Sequence, residues 1–204
     1  MHHILTKTII IISLLFCSTS YTQKKEIDTK TNPKTSATPD TLRVGYTYWW
    51  PQSGPFIGHC GDKYALVFLG TVQHIDNPIK DNDVLYTSQE GSIKIDEVLT
   101  SRSLKKKMYD KQNFFVSDCF YKQDVKEGDL VLVFCYEYED NYSIPGGKSI
   151  LKIKDSNDAV VQSIKRYITS DQNALELKKD IALWQNYGLE ADAKRIIACK
   201  EAMD

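Results

Sequence analysis

Tyr64-Ala65-Leu66-Val67-Phe68-Leu69-Gly70-Thr71-Val72 is the stretch that decides the fold. It is apolar on both parities at first and then alternates. A strand with one wet face shows a single apolar parity, whereas a strand buried on both faces shows two. Residues Tyr64 to Ile75 therefore read as a central strand, with Gly70 at a bend or bulge.

Similar strings lie on either side. Thr41 to Trp50 mixes β-branched and aromatic residues, as strands do, and Pro51 to Pro55 ends it as a turn. Downstream, Val84–Thr87, Gly91–Thr100, Phe114–Tyr121, Leu130–Tyr138 and Ser149–Ile153 read as strands. Polar or glycine-containing segments separate them: Asn77–Asp83, Ser101–Asn113, read as helix or loop with Leu104 and Met108 four apart, the turn at Lys126–Asp129, and a loop at Tyr142–Gly147.

The period then changes. Val161, Ile164 and Ile168 fall on one helical face. Ala174, Leu177, Ile181 and Trp184 form a second stripe, capped by Ser170 or Asp171, with Gly188 at a C-cap position. Leu189, Ala193, Ile196, Ile197 and Met203 form a third. Strands first and helices last is an α+β order rather than a parallel-sheet alternation. The expected fold is a small antiparallel β-barrel, OB-like in form, or a strongly curved sheet, with C-terminal helices.

The N-terminus carries a different signal. Lys7 precedes Ile9-Ile10-Ile11-Ile12-Ser13-Leu14-Leu15-Phe16, and a polar run follows. The apolar core is too short for a usual membrane span and reads as a secretory signal peptide, cut before Tyr21 or Gln23. Leu14-Leu15-Phe16-Cys17 is similar to a bacterial lipobox, although Phe16 stands where a small residue is wanted. Lipidation at Cys17, with anchoring to a membrane surface, is the alternative to free export into a periplasmic or extracellular space. The organisation expected is a signal peptide over 1–22, a flexible polar leader over 23–41, and one globular domain over 42–204, mainly β in 42–153 and helical in 157–203.

Composition excludes some functions. The chain of 204 residues has 26 basic and 27 acidic side chains and a net charge of −1. Its main basic cluster, Arg102 with Lys105, Lys106 and Lys107, is too short to neutralise many phosphates, which argues against nucleic acid as a partner. No dinucleotide or phosphate loop, nucleophile elbow or HExxH is present, so no cofactor is called for. Cys60, Cys119, Cys135 and Cys199 remain after signal cleavage. An even number in an exported chain suggests two disulfides, with the pairing open. Cys135, in an apolar run, also reads as a buried free thiol. No short CxxC signals a structural zinc site.

The order of strands between residues 60 and 153 resembles the netrin-like domains of tissue metalloproteinase inhibitors and their bacterial secreted relatives. The similar pieces are Cys60, Tyr64 to Val72, Ile93 to Leu99, Gly128 to Val133, Cys135, and the glycine turn before Ser149-Ile150-Leu151. The resemblance covers about half of the chain and implies an OB-type barrel. Those inhibitors open their mature chain with a cysteine used against the protease metal. Here Cys60 lies inside the chain after His59, so the resemblance concerns fold more than activity.

The candidate binding surface is aromatic. Trp49 and Trp50 are adjacent, and neighbours on a strand face opposite ways, so one of them is expected at the surface. With Tyr48, Phe56, Tyr138 and Tyr142 they make the predicted contact set for a protein partner. Glu137, Glu139 and Asp140 add an acidic patch, with Glu137 and Glu139 on one face if the strand continues. Asp76, Asn77, Asp81, Asn82 and Asp83 read as an acidic loop without calcium-loop spacing. His59, Cys60 and Asp62 are too close in sequence to read as nucleophile and base, so Cys60 reads as a half-cystine and His59 as solvated. The reading is an exported, non-catalytic protein-binding domain, such as an immunity or inhibitor protein. The alternatives are a structural or accessory envelope protein, and an enzyme with an unrecognised site.

Overall fold

The structure, a computed structural model, describes residues 40–47, 50–80 and 87–203. The expected signal peptide, nearly all of the expected leader, Tyr48, Trp49 and most of the expected strand at 84–87 lie outside the described residues. Among those described, the strands are β1 (Thr41–Arg43), β2 (Gly45–Tyr46), β3 (Tyr64–Ile75), β4 (Gly91–Ser101), β5 (Phe114–Ser117), β6 (Leu130–Tyr138), β7 (Asn141–Ile144) and β8 (Ile150–Lys152). The helices are α1 (Ala159–Thr169), α2 (Ile181–Gln185) and α3 (Glu190–Glu201). The fold is α+β: a nearly closed, largely antiparallel barrel of OB-like form followed by three helices. None of the described helices is long and apolar enough to cross a membrane.

The strand order is β1-β5-β4-β3-β6-β7-β2, with β8 also on β6. β1 pairs parallel with β5 at one end of the sheet, and β2 pairs parallel with β7 at the other. One short crossing of residues 41–46 therefore touches both edges and closes the barrel. Val44 N–H donates to Val116 and Thr47 N–H to Ile144, extending each pairing by one bond.

The double apolar parity of the central strands has a direct cause. Val131, Val133 and Cys135 of β6 point into the barrel, while Leu132, Phe134 and Tyr136 point to the helices. In β3, Leu66, Phe68 and Val72 face inward, and Tyr64, Val67 and Leu69 face the helices. Ala65 and Leu66 both reach the barrel interior because the β3–β6 register shifts between Tyr64 and Leu66. Such a bulge changes which parity faces in. The β3–β4 register shifts again between Leu69 and Gly70, and a Cβ on Gly70 would come within 2.5 Å of the Lys94 carbonyl. The glycine lets two backbones approach too closely for any side chain.

Several boundaries differ from expectation. The Thr41–Trp50 run forms two short strands rather than one, because it serves two sheet edges. β5 ends at Ser117, so Cys119 lies beyond it and meets Gln89 in an isolated bridge. The expected loop at 142–147 is largely strand β7. Glu139 and Asp140 both take left-handed φ, 50° and 64°, making a two-residue turn between paired Tyr138 and Asn141. Glu139 therefore lies in that turn and not on the strand face of Glu137. Residues 147–149 form a 3-10 turn before β8.

The helical layer is capped locally. Asp158 accepts from the Val160 N–H at the start of α1. The second stripe begins as a 3-10 turn over Ala174–Asp180, capped by Asn173 rather than Ser170 or Asp171, and becomes α-helical only at Ile181. Asp180 at the switch is drawn to Ser163 and Arg166, at 2.7 Å each. Gly188 has φ 64°, and the bonds Gly188 N–H to Gln185 and Leu189 N–H to Trp184 form a Schellman turn. Met203, expected on the third stripe, is exposed.

Candidate functional site

Among the described residues, two of the places that gather chemistry-bearing side chains bear on function. The first is the end of the barrel at the β6–β7 turn. A concave surface of about 570 Å3 is lined there by Asp62 and Lys63 ahead of β3, Arg102 after β4, and Tyr136 to Asp140. Arg102 pairs with Glu137, and Lys105 lies 3.7 Å from Asp140. Tyr142 OH donates to the Arg102 carbonyl at 2.5 Å and accepts from Tyr109 N–H, which fixes the segment carrying the arginine. Four carboxylates on this surface, Asp62, Glu137, Glu139 and Asp140, meet three cations, Lys63, Arg102 and Lys105 beside it.

Trp50 borders this surface. It is half-buried, with its ring 5.6 Å from Tyr138 in an edge contact and 6.1 Å from Tyr136. Tyr138 is 37% exposed. Two other members of the predicted contact set are not surface groups. Phe56 is fully buried against Trp184, with centroids 4.7 Å apart, because Pro55 turns it into the helix–sheet core. Tyr142 is 3% exposed, because β7 is a strand and this parity faces the barrel. The candidate surface keeps Trp50 and Tyr138 and gains Asp62, Arg102 and the acidic turn.

The second place is the loop of residues 54–62 against α3. Cys60 is disulfide-bonded to Cys199, 139 residues away, with Cα atoms 5.2 Å apart. Arg195 stands one helical turn before Cys199. Its guanidinium donates to the carbonyls of Phe56 at 2.5 Å, His59 at 3.1 Å, and Gly58, and it contacts Asp192 at 3.3 Å. Two further carbonyls of the loop are held: Pro55 accepts from Tyr64 OH and Gly54 from Tyr136 OH. Gly58 and Gly61 have φ of 75° and 92°, the region that favours glycine. His59 is exposed beside the disulfide, and its ring nitrogen and the two sulfurs lie within 4.8 Å of one another.

Cys119 and Cys135 are buried free thiols rather than a second disulfide. Both lie inside the barrel. Burial pushes the Cys119 thiol up to about 12, and Cys135 is raised well above its usual value by the same cause. They are packing residues in their protonated form. Burial, followed by the neighbouring Asp62 charge, also lifts the Tyr167 phenol to about 12, so that ring stays neutral under the 54–62 loop.

No family model matches this chain, and no curated protein matches it in sequence.

Proposed function

We propose that this domain is an exported binding module whose acidic, aromatic barrel end receives a cationic segment of a protein partner. The observation that carries the reading is the half-buried Trp50 and exposed Tyr138 beside a carboxylate-rich concavity. Aromatic rings supply desolvated contact area, and surplus negative charge steers Lys or Arg side chains toward it. Arg102, Lys63 and Lys105 limit the charge to a modest excess, which suits recognition of a defined segment over indiscriminate binding. An immunity or inhibitor role belongs to this reading. Export rests on the sequence of residues 1–22, and the Cys60–Cys199 bond supports an oxidising compartment. The likeness to netrin-like domains is proposed as kinship of fold, supported by the barrel and its strand order.

The test is a peptide array varied in charge, probed with the wild-type protein and with a Tyr138→Ala/Glu139→Gln double variant. Peptides carrying Lys or Arg should be preferred, and the preference should fall with salt and in the variant. Equal capture of acidic and basic peptides would defeat the reading.

A second reading, an enzyme with an unrecognised site, is favoured by a specific observation. His59 stands within 4.8 Å of the Cys60–Cys199 sulfurs, which become ligand atoms only when that disulfide is reduced. That set forms only in the fold and is the strongest support for chemistry in this chain.

A further inference from the structure

We infer that the Cys60–Cys199 pair and His59 form a redox-gated site for a thiophilic divalent cation such as zinc, closed by the disulfide and opened by its reduction. This is independent of the barrel end. The argument starts from the ligand set. Two cysteine sulfurs and one imidazole are the donors that zinc and similar borderline-soft ions select. A tetrahedral ion with bonds of about 2.3 Å to sulfur and about 2.0 Å to nitrogen puts its ligand atoms roughly 3.5–4 Å apart. The three atoms already lie within 4.8 Å of one another. The sulfurs are now as close as their bond makes them, so after reduction they must move apart to that tetrahedral spacing, from Cα atoms 5.2 Å apart.

In the oxidised protein each sulfur is committed to the other, and neither is a thiolate. Opening the site takes a thiol reductant. Two external thiols become a disulfide, their two electrons cleave the Cys60–Cys199 bond, and both protein sulfurs are left as thiols. Binding the cation then releases those two protons, since the ligands are thiolates. Cation plus two thiolates is neutral, so Arg195 nearby does not repel it. The protein supplies three donors here, one of them the exposed His59, and a tetrahedral ion takes four.

Preorganisation after reduction is the critical condition, and Arg195 provides it. Its bonds to the Phe56, Gly58 and His59 carbonyls hold the loop on α3 without involving sulfur. Tyr64 and Tyr136 hold Pro55 and Gly54 in the same way. Breaking one covalent bond therefore leaves both cysteines and His59 in place.

The experiment uses the full chain with cobalt(II) as a spectroscopic probe, under anaerobic conditions, before and after reduction and removal of the reductant. The reduced protein should keep its near-ultraviolet circular dichroism and bind one cobalt per chain, with thiolate-to-cobalt charge-transfer absorption and tetrahedral visible bands. The oxidised protein should show neither. Loss of a group that merely orients a ligand costs about 10–100-fold in metal affinity. His59→Ala removes the ligand itself, at an exposed position, and should cost at least about tenfold. Cys60→Ser/Cys199→Ser should abolish the charge-transfer band, which separates this site from Cys17, Cys119 and Cys135. The inference is overturned if the reduced protein unfolds, if folded reduced protein shows no thiolate band, if the band persists in the double-serine variant, or if His59→Ala binds as tightly as wild type.

Discussion

Replacing both members of the Cys60–Cys199 pair by alanine should destabilise the domain by about 3–5 kcal/mol. The ceiling follows from chain entropy. With 139 residues of sequence separation, the loop-closure relation gives about 17 cal/mol/K, or about 5 kcal/mol near room temperature. The floor reflects residual structure in the reduced unfolded chain, which lowers the entropy actually recovered. The assay is urea unfolding followed in parallel by far-ultraviolet circular dichroism and tryptophan fluorescence. Two observables should change together. The midpoint should fall, and the denaturant slope should rise, because a chain without the cross-link exposes more surface when unfolded. Arg195→Met provides the companion measurement. It removes the guanidinium that joins the same loop to the same helix, so its effect should combine non-additively with loss of the disulfide, by about 0.5–3 kcal/mol. A loss below about 1 kcal/mol with an unchanged slope would refute the reasoning. It would mean that the long loop is already closed in the unfolded ensemble.

Gly70→Ala should destabilise by about 1–3 kcal/mol in the same assay, because the new methyl meets the Lys94 backbone and Ile93. Cys119 and Cys135 should resist alkylation in the native protein and react only on unfolding, with sites mapped by mass spectrometry, since both are buried and protonated. His74 bonds Glu127 at 2.7 Å and Asp76 at 3.1 Å, and these bonds raise its pKa above the ordinary 6.5. Its contribution to stability is present below that ordinary value and fades as pH rises through the raised one. His74→Gln should remove this component from a stability–pH profile, and an imidazole titration by NMR should read the upward shift. Asp129 has the opposite sign. Its bond to Lys152 lowers its pKa from 3.8, so its contribution is present above that value and is lost as acid protonates it, a component that Lys152→Met should diminish.

Burial on two faces leaves a mark that a single sequence carries, which is why β3 and β6 were legible from their double apolar parity. The helical stripes were legible from one-faced burial at helical spacing, with Gly188 at its turn, although Ala174–Asp180 is a 3-10 turn and Met203 is exposed. The β6–β7 hairpin was not, because Glu139-Asp140 lacks the glycine or asparagine that usually announces a left-handed turn. The break at Asp180 arises from Ser163 and Arg166 on another helix, and no local pattern encodes that. The candidate sites divide along the same line. Trp50 and Tyr138 stand out as residue types, whereas Phe56 and Tyr142 look identical to them in a string and differ only in which way the backbone turns them. The pairing of Cys60 with Cys199 and the reach of Arg195 to residues 56–59 are long-range facts. One usable hint existed: Arg195 and Cys199 are four apart, hence on one face of the last helix.

The crossing at residues 41–46 sets an order of events during synthesis. This is the earliest part of the barrel to emerge, yet its partners are residues 114–116 and 143–144. It waits, unpaired, through the making of about a hundred residues, and the barrel gains its last seam only when Ile144 is available. A chain still being synthesised therefore carries an open β-strand near its N-terminus. Two chains side by side in that state can each lend this segment to the other, so crowding during synthesis should favour intertwined dimers, while slow, dilute refolding should favour the monomer.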